Sequence, residues 1–296
     1  MYSTGTHTLS MVVFLLVTVL SSSSAAADRT AERAWCYIMA YPEHFVGFQD
    51  GHLITARDTR IPFDDGLTKD CETMVRDPAV GDDAFDPEDA LHWEYPAGSP
   101  LPTAAHPPAG EPGRIRPRTV FEYLSGATPQ ERSRNMRTIA WVGASRGSKD
   151  TIRVTTACGV DKALERVVRR IQGLPEERKR TLRATVLKTG GYSGYHERTV
   201  RDFPGRTSAH AYGIAVDINW DESCYIGSHR AEPYRYRNNV PKFLVDIFEE
   251  NGFIWGGRWH SYDAMHFEYR PELLLMRGGR AGQRGELVSR GQERTP

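Results

Sequence analysis

The strongest constraint on this fold comes from two short segments, far apart in the chain, that carry metal-binding residue types. The first, Ser208-Ala209-His210-Ala211-Tyr212-Gly213-Ile214-Ala215-Val216-Asp217, sets a histidine and a carboxylate seven positions apart with glycine and alanine between them. Gly213 permits a tight return of the backbone. Along the strand that follows, side chains repeat every two residues, so Ala215 and Asp217 share a face. With His210 at the start of the return, Asp217 faces the same point. Read alone, a His and an Asp at this spacing are more often structural, because the pair arises readily by chance.

The second segment changes that balance. It runs Trp255-Gly256-Gly257-Arg258-Trp259 and then Asp263-Ala264-Met265-His266-Phe267-Glu268. His266 supplies a third ligand. Two imidazole nitrogens and one carboxylate oxygen leave one tetrahedral position for water, which is the pattern of catalytic rather than structural zinc. Hard cations want mostly oxygen donors, so one Zn2+ per chain is the expected cofactor. Glu268 follows His266 by two residues on the same face of a predicted strand. It reads equally as a group that orients a metal ligand and as half of a surface salt bridge.

In this order the blocks resemble the zinc D-alanyl-D-alanine carboxypeptidases, together with the phage and bacterial L-alanyl-D-glutamate endopeptidases that cut peptidoglycan. The resemblance rests on Ser-x-His-x-x-Gly-x-Ala-x-Asp at 208–217, Trp-Gly-Gly-x-Trp at 255–259 and Asp-x-x-His-Phe-Glu at 263–268, and it covers about 151–272. It implies a small α+β domain with a central antiparallel sheet, a zinc held by His210, Asp217 and His266, and Asp263 as general base. It also implies an arginine upstream of the first metal histidine that steadies the developing oxyanion. Arg198 is the matching residue. Many members have a Gly-Tyr-Arg order where this chain has Gly194-Tyr195-His196, which leaves Arg201 and Arg206 as substitutes. The resemblance does not choose between trimming a terminal D-alanine and cutting after L-alanine. Hedgehog-type zinc modules are similar in their metal site and need not be enzymes; Asp263 beside His266 favours catalysis.

The remaining chain sets the context. Its 296 residues leave room for a catalytic domain and an accessory region. Lys plus Arg, at 38, equals Asp plus Glu, at 38, so no strong field points to nucleic acid; the expected partner is a cell-wall stem peptide. Met11 to Leu20 is an apolar run too short to cross a ~30 Å bilayer core stably, and Ala25-Ala26-Ala27 follows it. Residues 1–27 therefore read as a secretory signal, with a retained anchor as the alternative because no Lys or Arg leads the segment. In an oxidising compartment Cys36, Cys71, Cys158 and Cys224, none in a CxxC pair, are expected to form disulfides. The preferred pairing, Cys36–Cys71 and Cys158–Cys224, keeps each bond inside one module.

Residues 28–96 read as a small β-rich accessory module, and 97–117, with Pro100, Pro102, Pro107, Pro108, Pro112 and Pro117, as an extended and loosely packed linker. Residues 118–276 form the expected peptidase domain and 277–296 a disordered tail. Within the domain, Leu164, Val167, Val168 and Ile171 predict a core-facing helix over 161–171. A short helix starts at Arg118, a hairpin joins 138–142 to 151–155, and 182–187 is β-prone. A half-buried strand is expected at 214–218, a helix at 242–250 closed by Asn251-Gly252, and strands at 253–255 and 266–269. Trp255, Trp259 and Tyr212 read as packing residues that shape a cleft. His196, His229 and His260 read as loop histidines bonded to backbone.

Overall fold

The computed structural model describes residues 25–142, 151–184, 192–218, 236 and 238–276. Most of the leader, the hairpin turn at 143–150, Cys224, His229 and the tail lie outside the described residues. Helix α1 (Ala25–Ala40) leads into an antiparallel meander of β1 (Phe45–Gln49), β2 (His52–Thr55) and β3 (Arg60–Pro62), followed by the single turn α2 (Cys71–Met74). An irregular stretch then reaches α3 (Arg118–Ser125), α4 (Pro129–Arg134), the hairpin of β4 (Met136–Ala140) and β5 (Thr151–Thr155), α5 (Val160–Gln172) and α6 (Glu176–Ala184). The rest comprises β6 (Tyr192–Ser193), β7 (Thr199–Val200), β8 (Phe203–Thr207), β9 (Ala215–Ile218), α7 (Lys242–Glu249), β10 (Phe253–Trp255), β11 (His266–Tyr269) and α8 (Pro271–Leu275). The class is α+β.

The central element is a four-stranded antiparallel sheet in the order β10-β11-β9-β6. Its register sets His266 directly across from Asp217, and Glu268 across from Ala215. Strand β9 departs from the alternating pattern expected of it, since all four of its residues are buried. An interior strand between two neighbours, covered on both faces, has no solvent side. Helix α5 matches its periodicity: Val160, Ala163, Leu164, Val167, Val168 and Ile171 are buried, and the helix packs on β4, β5 and α7. Burying each of its larger aliphatic side chains stabilises the fold by about 1.5–3 kcal/mol.

Three expectations are corrected. Leu182–Ala184 is helical rather than extended. Glu176 and Glu177 in the first turn and Arg183 in the last suit the helix dipole, and Glu176 pairs with both Lys179 and Arg183 at 3.0 Å. The end of the stretch 97–117 is packed: from 111 to 117 every residue but Arg114 is buried, whereas 103–107 are exposed. Proline holds backbone extended, and that geometry serves a packed strap as well as a mobile tether. Farther up the same stretch, Gly98 donates its N–H to Glu249, while Ser99 and Pro100 accept from the Arg258 guanidinium. Lastly, no disulfide joins Cys36 to Cys71, and the Cys36 thiol donates to the Glu32 carbonyl instead. Cys36 packs at the margin of the main core and Cys71 lies inside a second, smaller cluster with Val75, Phe85 and Ile115, so two separate packing environments hold them.

One main core runs through both halves of the chain. It joins Tyr37, Phe45, Leu53 and Phe63 of the N-terminal region to Val167, Phe248, Trp255 and Phe267. Arg206 on β8 fastens the smaller cluster to it, donating to the carbonyls of Met74, Val75 and Val80.

Candidate metal centre

His210 owes its position to a tight turn after β8. The Gly213 N–H donates to the His210 carbonyl at 3.0 Å, and Gly213 has a φ of +72°. A Cβ there would also meet the Thr155 backbone nitrogen at 2.9 Å, so both conformation and space favour glycine. The ring orientation follows from a carbonyl, which can only accept: His210 Nδ1 donates to Gly194 O at 2.8 Å. Its Nε2 is therefore the lone-pair nitrogen. That atom is buried, makes no hydrogen bond among the described residues, and lies 3.1 Å from Asp217 Oδ2 without hydrogen-bond alignment.

The cross-strand register brings the other two groups in. His266 Nδ1 lies 2.9 Å from Asp217 Oδ1, and His266 Nε2 lies 3.2 Å from Glu268 Oε2. One donor atom from each of His210, Asp217 and His266 falls within 4.8 Å of the others. A divalent metal fits this set: three donors converge, one imidazole nitrogen has no hydrogen-bond partner, and mixed nitrogen and oxygen ligation suits zinc. Burial would raise the Asp217 carboxyl, but its interactions with the adjoining His210 and His266 rings outweigh it and hold it well below the usual carboxylate range. Burial likewise opposes charge on His266, yet its bonds to Asp217 and Glu268 push it up to about 9. The ring is gripped by carboxylates on both nitrogens. Two other acidic groupings occur among the described residues, around Asp86. The Lys69 ammonium is bonded to Asp65, Asp86 and Asp89 there.

Glu268 is fully buried, so the surface salt bridge is replaced by an interior one. Arg116 grips it bidentately, Nε to Oε1 at 2.7 Å and Nη2 to Oε2 at 2.6 Å, the geometry in which Arg binds carboxylate best. Arg270 Nη1 approaches Oε1 at 3.2 Å. Arg270 also pairs with Glu272, which accepts from Tyr41, the residue after α1, at 2.6 Å. A buried polar chain thus runs from the end of the N-terminal helix to His266. Burial would raise Glu268, but Arg116 and the bonded His266 hold it well below the usual range.

A cavity of about 370 Å³ opens over the centre, lined by His210, Asp217, His266 and Asp263 together with Arg114, Arg116, Arg198 and Arg201. Asp263 has its backbone fixed by N–H donation to Gly256 O at 2.9 Å. Its Oδ1 is buried with no hydrogen bond, and burial, with the Asp217 charge adding to it and His266 opposing, raises its proton affinity. Arg198 reaches the cavity wall as an exposed side chain, and so does Arg201. Arg206 does not, since its guanidinium is spent on backbone carbonyls. Of the loop histidines, His260 is exposed and bonded to Pro108 O at 3.3 Å. His196 bonds Gly194 O at 3.1 Å and also stacks on His210 with ring centroids 4.7 Å apart, a support that the loop reading lacked. Trp255, Trp259 and Tyr212 are all buried.

Arg114 and Arg116 were missing from the sequence reading. Their only signal was an Arg-x-Arg spacing in extended, proline-rich chain, which puts both side chains on one face.

Residues 203–269 match the family model described as D-alanyl-D-alanine carboxypeptidase. This segment carries His210, Asp217, Asp263, His266 and Glu268, and the match supports a peptidase. No curated protein and no solved structure matches the chain.

Proposed function

We propose that this chain is an exported zinc metallopeptidase that hydrolyses a peptide bond in peptidoglycan stem peptides. The observation that carries the reading is the convergence of His210, Asp217 and His266 beneath a cavity that also exposes Asp263, all inside the segment that matches the carboxypeptidase family. One zinc per chain would be held by those three side chains, with Glu268 fixing the His266 ring. Bound there, zinc supplies Lewis acidity, polarising a carbonyl and lowering the pKa of water toward ~7.

The chain's own residues do the rest. Asp263, with its unbonded Oδ1 and raised proton affinity, takes the proton from the attacking water and returns it to the leaving amine. A carboxylate raised by burial is a stronger base and, once protonated, a usable acid near neutral pH. Arg198 stands at the cavity wall to steady negative charge as it develops on the scissile carbonyl, a contribution typically worth 10²–10³ in rate. Export rests on the apolar leader and its small-residue end. No described helix is long and apolar enough to cross a membrane.

The test is digestion of purified peptidoglycan by the zinc-loaded protein, with fragments weighed by mass spectrometry. Release of D-alanine or appearance of a new L-alanine carboxyl end supports the reading and names the bond. Unchanged muropeptides from a preparation that holds one zinc per chain would overturn it.

A further inference from the structure

We infer that Arg114, delivered by the packed strap at 110–116, binds a free α-carboxylate on the residue that leaves the active site, and so selects the substrate. The inference rests on the peptidase reading above and deepens it. Arg114 lies outside the segment that matches the carboxypeptidase family.

The strap is bolted to the catalytic loop at several points. His260 N–H donates to Gly110 O at 2.8 Å, and Ser261 N–H donates to Glu111 Oε1 at 2.9 Å. The Ser261 hydroxyl also bonds Glu111. Two residues beyond Arg114, Arg116 is locked on Glu268. Arg114 is held between these anchors. Its guanidinium carbon sits 4.1 Å from the Trp259 ring centroid, Nη2 donates to Ser261 O at 2.6 Å, and Nε lies 3.8 Å from Glu111. Stacking and one hydrogen bond fix the plane of the group, and Nη1 has no hydrogen bond among the described residues. Trp259 in turn contacts the metal histidine, with ring centroids 5.4 Å apart. The guanidinium is thus one aromatic ring away from His266 and on the wall of the same cavity.

The other cavity arginines are less suited. Arg116 is committed to Glu268, while Arg198 and Arg201 are exposed on or beside the β7–β8 hairpin and would lose more side-chain freedom on binding. A pre-oriented guanidinium loses less, which is how rigid sites gain affinity and discrimination.

The chemistry defines the ligand. In a D-alanyl-D-alanine terminus, the α-carbon bonded to the scissile nitrogen carries a carboxylate. Where D-glutamate is joined through its side-chain carboxyl, the α-carbon after L-alanine carries a free carboxylate at the same number of bonds. A fixed cation one residue past the metal reads that shared feature, whichever of the two bonds is cut.

The experiment compares acetyl-D-alanyl-D-alanine with the same peptide as its C-terminal amide, using the full zinc-loaded chain. The parent is expected to prefer the acid by about ten- to a hundredfold in kcat/KM, the loss expected when a charged hydrogen bond is removed. In Arg114→Met, which keeps an unbranched apolar stem against Trp259, the acid-to-amide ratio falls toward one, chiefly through KM of the acid. Arg114→Lys restores part of it. A parent that treats acid and amide alike overturns the inference, as does an Arg114→Met variant that slows both substrates equally, the mark of a strap residue that only packs. If the parent cleaves neither peptide, the D-alanyl-D-alanine bond is not the one cut, and acetyl-L-alanyl-γ-D-glutamate is compared with its α-amide in the same way; if that pair is also uncut, the peptidase reading fails, and calorimetric binding of the acid and the amide to the same proteins decides the role of Arg114. Tighter binding of the acid that vanishes in Arg114→Met upholds it. Equal binding of acid and amide overturns it.

Discussion

Two buried polar clusters meet at His266, and they are built in opposite ways. On one side Glu268, Arg116, Arg270, Glu272 and Tyr41 form a chain in which each charge faces an opposite charge at bonding distance. On the other side, His210 Nε2 and Asp263 Oδ1 are buried without hydrogen bonds. An unmet polar group in the interior costs about 1–3 kcal/mol, so a fold keeps one only where something else compensates. The satisfied cluster is a scaffold that ties the residue after α1, the strap and β11 together. The unsatisfied one is where the proposed metal would sit.

The largest effect expected from this contrast is in the unsatisfied cluster. His210→Ala should carry almost no zinc and bring hydrolysis to background while leaving the protein folded, since a binding site is removed rather than a packed strut. Elemental analysis and circular dichroism on one preparation check it; near-full zinc in the variant would show that the three groups do not act as one site.

Asp263→Asn should come next. It keeps the shape and removes the basic oxygen, so hydrolysis should fall by about 10²–10⁴ with zinc content unchanged. A group that merely oriented a ligand would instead weaken metal affinity by about 10–100-fold. Full zinc with nearly full activity would take Asp263 out of the mechanism.

In the scaffold cluster the same logic gives a different readout. Arg116→Met strands the buried Glu268 charge with only Arg270 and His266 beside it, and breaking a buried pair typically costs about 3–5 kcal/mol. Urea unfolding of the zinc-free protein measures this. Because Glu268 also holds the His266 ring, zinc affinity should drop in the same variant. A loss below about 1 kcal/mol would mean that the two clusters do not differ in kind.

The smallest effect sharpens the rule with a buried carboxylate outside both clusters. Asp82 accepts the Thr207 N–H at 2.7 Å, and the charges of Arg116, Arg206 and Arg118 do not offset its burial, which pushes it up to about 6. Glu268, paired directly, is pushed the other way. With a folded value above the unfolded value of ~3.9, the fold penalises ionised Asp82. The penalty is full above pH 6 and is relieved as pH falls toward 3.9. Asp82→Asn should therefore stabilise the protein by about 1–3 kcal/mol at pH 7 and by much less at pH 4. Urea midpoints that shift equally at both pH values would refute the assignment.

Much of this site was legible in the chain. His210, Gly213 and Asp217 are linked by a turn and a period of two, and the geometry of such a unit is local; His266 and Asp263 follow from a second short block. Helix α5 and the strands β10 and β11 were readable for the same reason, because their apolar spacing repeats within a few residues. The cysteine arrangement and the 97–117 strap were not. Proline content reports an extended backbone but not what it touches, and Cys36 and Cys71 are separated by which cluster each side chain joins. The grip of Arg116 on Glu268, the seat of Arg114 on Trp259 and the carbonyl of Gly194 that turns His210 toward Asp217 exist only after distant segments have packed. The sequence by itself determined which short segments carry His210, Asp217 and His266, since short-range backbone geometry fixes the turn and the strands that hold them. Tertiary structure decided which charges surround them, because long-range burial leaves no periodic trace in the chain.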